Sequence, residues 1–257
     1  MKTNKQFGMT LLTLLAIMAT CGQTCFAESV LSIDFGSDAT EQGAPSPGPV
    51  QAGFIEWSGP YVGNPGLDYN QTRSFQADFG VAGSVDVNLR SDGLFFRDYD
   101  PIIGGAFLDQ NALLSDSVLR NQPGSIFLSF SNLRNGVYSM TSFHHDTRYG
   151  TTFVPFDIIL SDDLVTSQIV FSGLDTSGGT SPSTITMPNF TFTVRGPSTV
   201  TVEFAGEAQL ARHMSINGFQ LEQVHAVPEP SSLLLLASGL AFSISFGRIR
   251  RRALRLR

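Results

Sequence analysis

The 257-residue chain has a formal net charge of −6, yet its central stretch, residues 28–226, holds 21 acidic residues against 8 arginines and no lysine, a formal −13. So acidic a body repels nucleic acid and anionic membrane surfaces while tolerating divalent cations and neutral sugars. Both cysteines, Cys21 and Cys25, precede that body, which excludes disulfides, thiolate zinc sites and cysteine nucleophiles from it.

Residues 1–27 read as a secretory signal peptide. Lys2 and Lys5 form the positive n-region, residues 9–20 (MTLLTLLAIMAT) the apolar core, and Cys25-Phe26-Ala27 a small-residue ending, so signal peptidase is expected to cut before Glu28. A lipidated Cys21 is the alternative, disfavoured by Thr20 just before it.

In 28–226 helical periodicity is scarce and period-two alternation frequent. The alternation predicts strands over residues 30–35, 73–79, 84–89, 125–130, 137–144, 156–160, 168–171, 184–194, 199–204 and 216–221. It is cleanest at Phe190, Phe192, Val194 and at Val200, Val202, Phe204, with Arg195-Gly196-Pro197-Ser198 as the hairpin turn between them. Residues 109–119 (DQNALLSDSVL) predict a short helix with Leu114 and Val118 on one face. Residues 43–50 and 175–183 read as Pro/Gly-rich loops. One all-β domain follows, an antiparallel β-sandwich or jelly roll with one short helix, its core supplied by many of the chain's 21 phenylalanines.

Three constellations in the body could bind something. Trp57, Tyr61 and Tyr69 lie in a turn-rich segment, where exposed rings would stack on neutral sugars; the alternative is that they fold back into the core. Asp92, Asp98 and Asp100 concentrate carboxylates suited to calcium, though without the spacing of an EF-hand loop; the alternative is a solvated turn with an Arg97 ion pair. In His144-His145-Asp146 strand alternation separates the two histidines and lets His144 and Asp146 share a face, giving either a metal site, with His213 a further ligand in space, or a polar strand end. Gly-x-Ser-x-Gly, His-Glu-x-x-His and a phosphate loop are all absent from the sequence. A glycosidase needs two carboxyls about 5 to 9.5 Å apart, and so many acids single out no pair. A lyase would want a cationic neutraliser, which scattered arginines without lysine do not provide.

The C-terminus is more specific. Val227-Pro228-Glu229-Pro230 precedes the uncharged stretch 231–247 (SSLLLLASGLAFSISFG), and six arginines follow within 248–257. Prolines suit a helix entrance. Seventeen helical residues span about 25 Å, close to a hydrocarbon core, and the arginines would stay cytoplasmic. Pro-Glu-Pro, an apolar span and a basic cluster in that order resemble the PEP-CTERM sorting signal. The resemblance implies a single membrane helix inserted transiently in the inner membrane. An exosortase would recognise Pro228, Glu229 and Pro230 and remove the tail, leaving the protein at the surface or in the extracellular matrix. An ordinary single-pass anchor is the alternative. Within the body, residues 132–140 (NLRNGVYSM), with a "Leu-x-x-Gly-x-Tyr" strand entry, and residues 216–221 (INGFQL) resemble galactose-binding-like jelly rolls, common among carbohydrate-binding modules. The combined expectation is an exported, non-catalytic protein that binds neutral polysaccharide. The alternatives are a glycoside hydrolase or lyase acting on exopolysaccharide, and a purely structural matrix protein.

Overall fold

The computed structural model describes residues 30–37, 50–60, 67–98, 111–120, 124–146, 155–162, 167–178, 184–206 and 214–226. The expected signal peptide, Pro-Glu-Pro motif, apolar span and arginine cluster lie outside them. In chain order the strands are β1 (Val30–Ser37), β2 (Ile55–Gly59), β3 (Leu67–Gln76) and β4 (Ser84–Asp98). After the helix α1 (Asn111–Ser115) come β5 (Asp116–Arg120), β6 (Gly124–Ser131), β7 (Gly136–Phe143), β8 (His145–Asp146), β9 (Phe156–Asp162) and β10 (Gln168–Leu174). The last are β11 (Ser177–Gly178), β12 (Asn189–Val194), β13 (Val200–Gly206), β14 (Met214–Ile216) and β15 (Gly218–Ala226).

Alternation dictates the layering. In β6, Ile126, Leu128 and Phe130 are buried while Ser125, Phe127, Ser129 and Ser131 are not, and β12 and β13 alternate in the same way. Pairing Val202 with Leu128 and Phe204 with Ile126 puts the apolar sets of β13 and β6 on one face. One sheet has the order β12-β7-β15-β1-β2, antiparallel except for the parallel β1–β2 pair. The other runs β10-β9-β13-β6-β4-β5-β14, with β3 also on β4, and all its pairs are antiparallel. Rings from the two sheets meet between them: Phe130 and Phe219 at 5.4 Å, Trp57 and Phe75 at 5.6 Å, Phe171 and Phe190 at 6.4 Å. Burying each such side chain contributes about 1.5–3 kcal/mol. The described residues form an all-β antiparallel sandwich of the jelly-roll type with one short α-helix among them, and the alternation predicts its strands. Among the described residues no helix is long and apolar enough to cross a membrane.

The "Leu-x-x-Gly-x-Tyr" segment is a corner with a physical cause for each residue. Leu133 is buried, and the Tyr138 hydroxyl donates 2.7 Å to the Arg134 carbonyl, pinning the entry to β7. A Cβ on Gly136 would lie 2.8 Å from the His225 carbonyl oxygen, backbone of β15, so glycine lets that strand approach closely.

Three differences from expectation bear on the candidate sites. Of the helix predicted over 109–119, the described residues Asn111–Ser115 are helical, while Val118 and Leu119 belong to β5, where pairing with both β4 and β14 overrides local propensity. The predicted strand 216–221 is split at Asn217. That residue's backbone bonds Phe143 and Phe35, while its amide accepts from His145 N–H and donates to the Leu114 carbonyl. Finally, β4 continues past Leu89 to Asp98, so Asp92 and Asp98 stand in a strand rather than a turn.

Candidate functional site

At the start of β3, against the second half of β4, the register slips. Leu67 faces Leu94, but Tyr69 faces Ser91, so β4 spends one residue more than its partner. Gly93 takes up the bulge at φ +83°, and nothing lies within 4 Å of where its Cβ would be. The dihedral, not crowding, therefore demands glycine.

The bulge opens a shallow depression of about 330 Å³ lined by Asp68, Asn70, Arg90, Ser91, Asp92 and Phe127. Arg90 and Phe127 are directly opposed in the β4–β6 register, and the guanidinium lies 4.4 Å from the ring centroid. This contact holds the Arg90 fork in place, and among the described residues the fork makes no hydrogen bond or ion pair. Asp68 is exposed and also has no hydrogen-bond partner among the described residues. Asp92 differs. The buried Arg120 guanidinium donates to its Oδ1 at 2.9 Å and to Ser91 Oγ at 2.8 Å, and Ser91 in turn donates to the Ser125 carbonyl. Since Arg120 offsets Asp92, the remaining pair, Arg90 and Asp68, leaves the depression with no net charge.

Around it the outer face of this sheet is laced by side-chain hydrogen bonds, many between neutral groups. Asn88 donates to Asn70 Oδ1 at 2.8 Å and Thr72 Oγ1 at 3.0 Å, and Ser129 and Thr201 hydroxyls are 2.9 Å apart. Acids on the same face are held too: Ser125 donates to Glu203 at 2.6 Å, and Ser74 and Asn132 donate to Asp86.

The aromatic residues singled out in the sequence are placed differently. Trp57 is on β2, 0% exposed, because parallel pairing with β1 sets it beside Phe35 on the inner face. It packs against Phe35 and Phe75, Arg73 covers the ring at 5.1 Å, and the indole N–H donates to the Tyr69 hydroxyl at 3.1 Å. Tyr69 is 6% exposed in β3, touching the depression from below while its hydroxyl donates to Gln71. Neither is a loop aromatic offering a ring face to a sugar, which corrects that expectation. Tyr61 lies outside the described residues.

His144 is likewise no ligand. Its Nδ1–H donates to the Ser215 carbonyl at 2.8 Å, Ser142 Oγ donates to Nε2 at 2.8 Å, and the ring sits against Phe156 and Phe204. Burial pushes its pKa down to about 4. With both ring nitrogens engaged, no lone pair is left for a metal. Asp146 is buried in β8, which pairs with β11. Asp98 ends β4 opposite Asp116, while Asp100 and His213 lie outside the described residues. Among the described residues no group of three or more His, Cys, Asp or Glu is placed to hold a metal ion.

Asn70, Arg90 and Phe127 were not singled out from the sequence. One signal was available: in 125–131 (SIFLSFS) Phe127 falls on the polar side of an otherwise clean alternation, among Ser125, Ser129 and Ser131.

Residues 226–252 match the PEP-CTERM protein-sorting motif. No curated protein matches the chain. Among solved structures, it is similar to a family 35 carbohydrate binding module from Clostridium thermocellum, at 10% identity and TM-score 0.33, covering 59% of this chain and 97% of that one. It is also similar to TmCBM61 in complex with β-1,4-galactotriose, at 20% identity and TM-score 0.31, covering 63% and 97%. A third similarity is to a chain in the complex of the plant peptide RALF23 with FER and LLG2, at 10% identity and TM-score 0.40, covering 76% of this chain and 40% of that one.

Proposed function

We propose that the chain is an exported protein, sorted to the cell surface or extracellular matrix through its C-terminal motif, which binds neutral polysaccharide and does not cleave it. The observation that carries the binding half is the depression beside Gly93. It is open and charge-balanced within a −13 body, and it combines uncommitted donors and acceptors with an aromatic ring. Sugar hydroxyls need such mixed hydrogen-bonding partners, and sugar C–H groups pack against an aromatic π-face.

The match at 226–252 supports the sorting half. Signal peptidase would release residues 1–27, the span 231–247 would hold the precursor in the inner membrane, and an exosortase would act at Pro228-Glu229-Pro230. The experiment is affinity electrophoresis of the full chain in gels containing neutral polysaccharide, with product analysis of the same incubations. Retardation without new reducing ends or unsaturated products is the expected result. Release of such products would replace the reading with an exopolysaccharide-active enzyme, and no retardation on any polysaccharide would favour a structural matrix protein.

A further inference from the structure

Resting on the polysaccharide-binding reading, we propose that the depression beside Gly93 is the sugar subsite. It would take an uncharged sugar through two adjacent hydroxyl groups, with Arg90 donating to one and Asp68 accepting from the other. Arg90 is the pre-set element: its planar fork rests on the Phe127 ring at 4.4 Å and has no hydrogen bond or ion pair elsewhere among the described residues. Such a fork loses little freedom when it binds paired oxygens. Asp68, on the neighbouring strand and lining the same depression, can only accept.

The pairing of one fixed donor with one fixed acceptor selects the ligand chemistry. A hydroxyl group both donates and accepts, so adjacent hydroxyls satisfy both residues at once. A carboxylate would satisfy Arg90 but place like charge beside Asp68, and an amine would do the reverse. Asp92 does not alter this balance, because Arg120 already holds it at 2.9 Å. About 330 Å³ is at the small end of ligand sites, enough for one or two sugar rings of a longer chain.

The test is affinity electrophoresis of the full chain, purified in detergent, against neutral galactomannan and against polygalacturonate. Arg90→Ala and Asp68→Ala should each weaken retardation by galactomannan about tenfold, the scale of one lost charge-assisted hydrogen bond. Arg90→Lys, which keeps the charge but not the fork, should stay weakened. Asp68→Asn should gain retardation by polygalacturonate that the wild type lacks. Both positions are exposed, so melting temperatures should be unchanged, and that measurement separates lost contacts from lost fold. If galactomannan retards the wild type and the variants equally, the subsite is overturned while polysaccharide binding stands. Wild-type retardation by polygalacturonate alone overturns the choice of an uncharged sugar. A wild type retarded by neither overturns the binding reading itself.

Discussion

Trp57 shows how one residue's role depends on a partner distant in sequence. Its neighbours read as turn, and nothing local says that the segment pairs in parallel with β1 and turns the indole inward. Trp57→Ala should therefore cost about 3–5 kcal/mol in urea denaturation, the price of emptying a buried tryptophan site, whereas an exposed ring would cost far less. His144 gives a second residue-scale prediction. Its folded pKa of about 4 lies below the ordinary 6.5, with burial the main cause and the Ser215 carbonyl opposing it. Between those values the unfolded chain takes up a proton that the folded chain refuses. Stability from this group is thus complete above pH 6.5 and is lost as pH falls toward 4, by about 3 kcal/mol over the full window. Denaturation curves across that range should show a fall that shrinks in His144→Asn; an unchanged slope would assign it to other groups. The alternation at Phe190, Phe192, Val194 and at Val200, Val202, Phe204 did name the inward residues of β12 and β13, because there each strand's own pattern decides which face is buried.

At the scale of elements, local pattern sets strand identity and pairing sets strand ends. Val118 and Leu119 have helical neighbours in sequence but become strand once β4 and β14 supply ladders on either side. The β4 bulge was similarly hidden: Asp92-Gly93 reads as a turn, and only the β3 register shows it as an extra residue inside a long strand. The depression exists because of that bulge, so its residues, Arg90 and Asp68 among them, could not be grouped from spacing along the chain. Gly93→Ala tests the link. Forcing a Cβ into φ +83° should cost about 1 kcal/mol of stability. Because relaxing the strain reshapes the bulge, retardation by galactomannan should fall although the variant still melts cooperatively. Retained binding in a strained but folded variant would separate the site from the bulge.

For the whole molecule, the uneven charge ties export to the behaviour of the finished protein. Lys2 and Lys5 at one end and six arginines at the other hold half of the 16 basic residues, so the precursor's −6 conceals a far more acidic body. Removing the first 27 residues alone takes the chain to −8, and removing the tail from Val227 onward as well takes it to −13. The more negative form repels copies of itself and polyanionic polymers more strongly, while neutral polysaccharide is indifferent to the change. An exosortase acting at Pro228-Glu229-Pro230 would therefore switch a membrane-held, less charged precursor into a soluble, strongly acidic binder. Isoelectric focusing of the native protein distinguishes the routes, since the fully processed form must focus well below the full chain's value of 5.1. Intact mass should show Arg248 to Arg257 missing. A membrane-bound form that keeps those arginines, with the smaller acidic shift of signal-peptide removal alone, would make the tail a simple anchor.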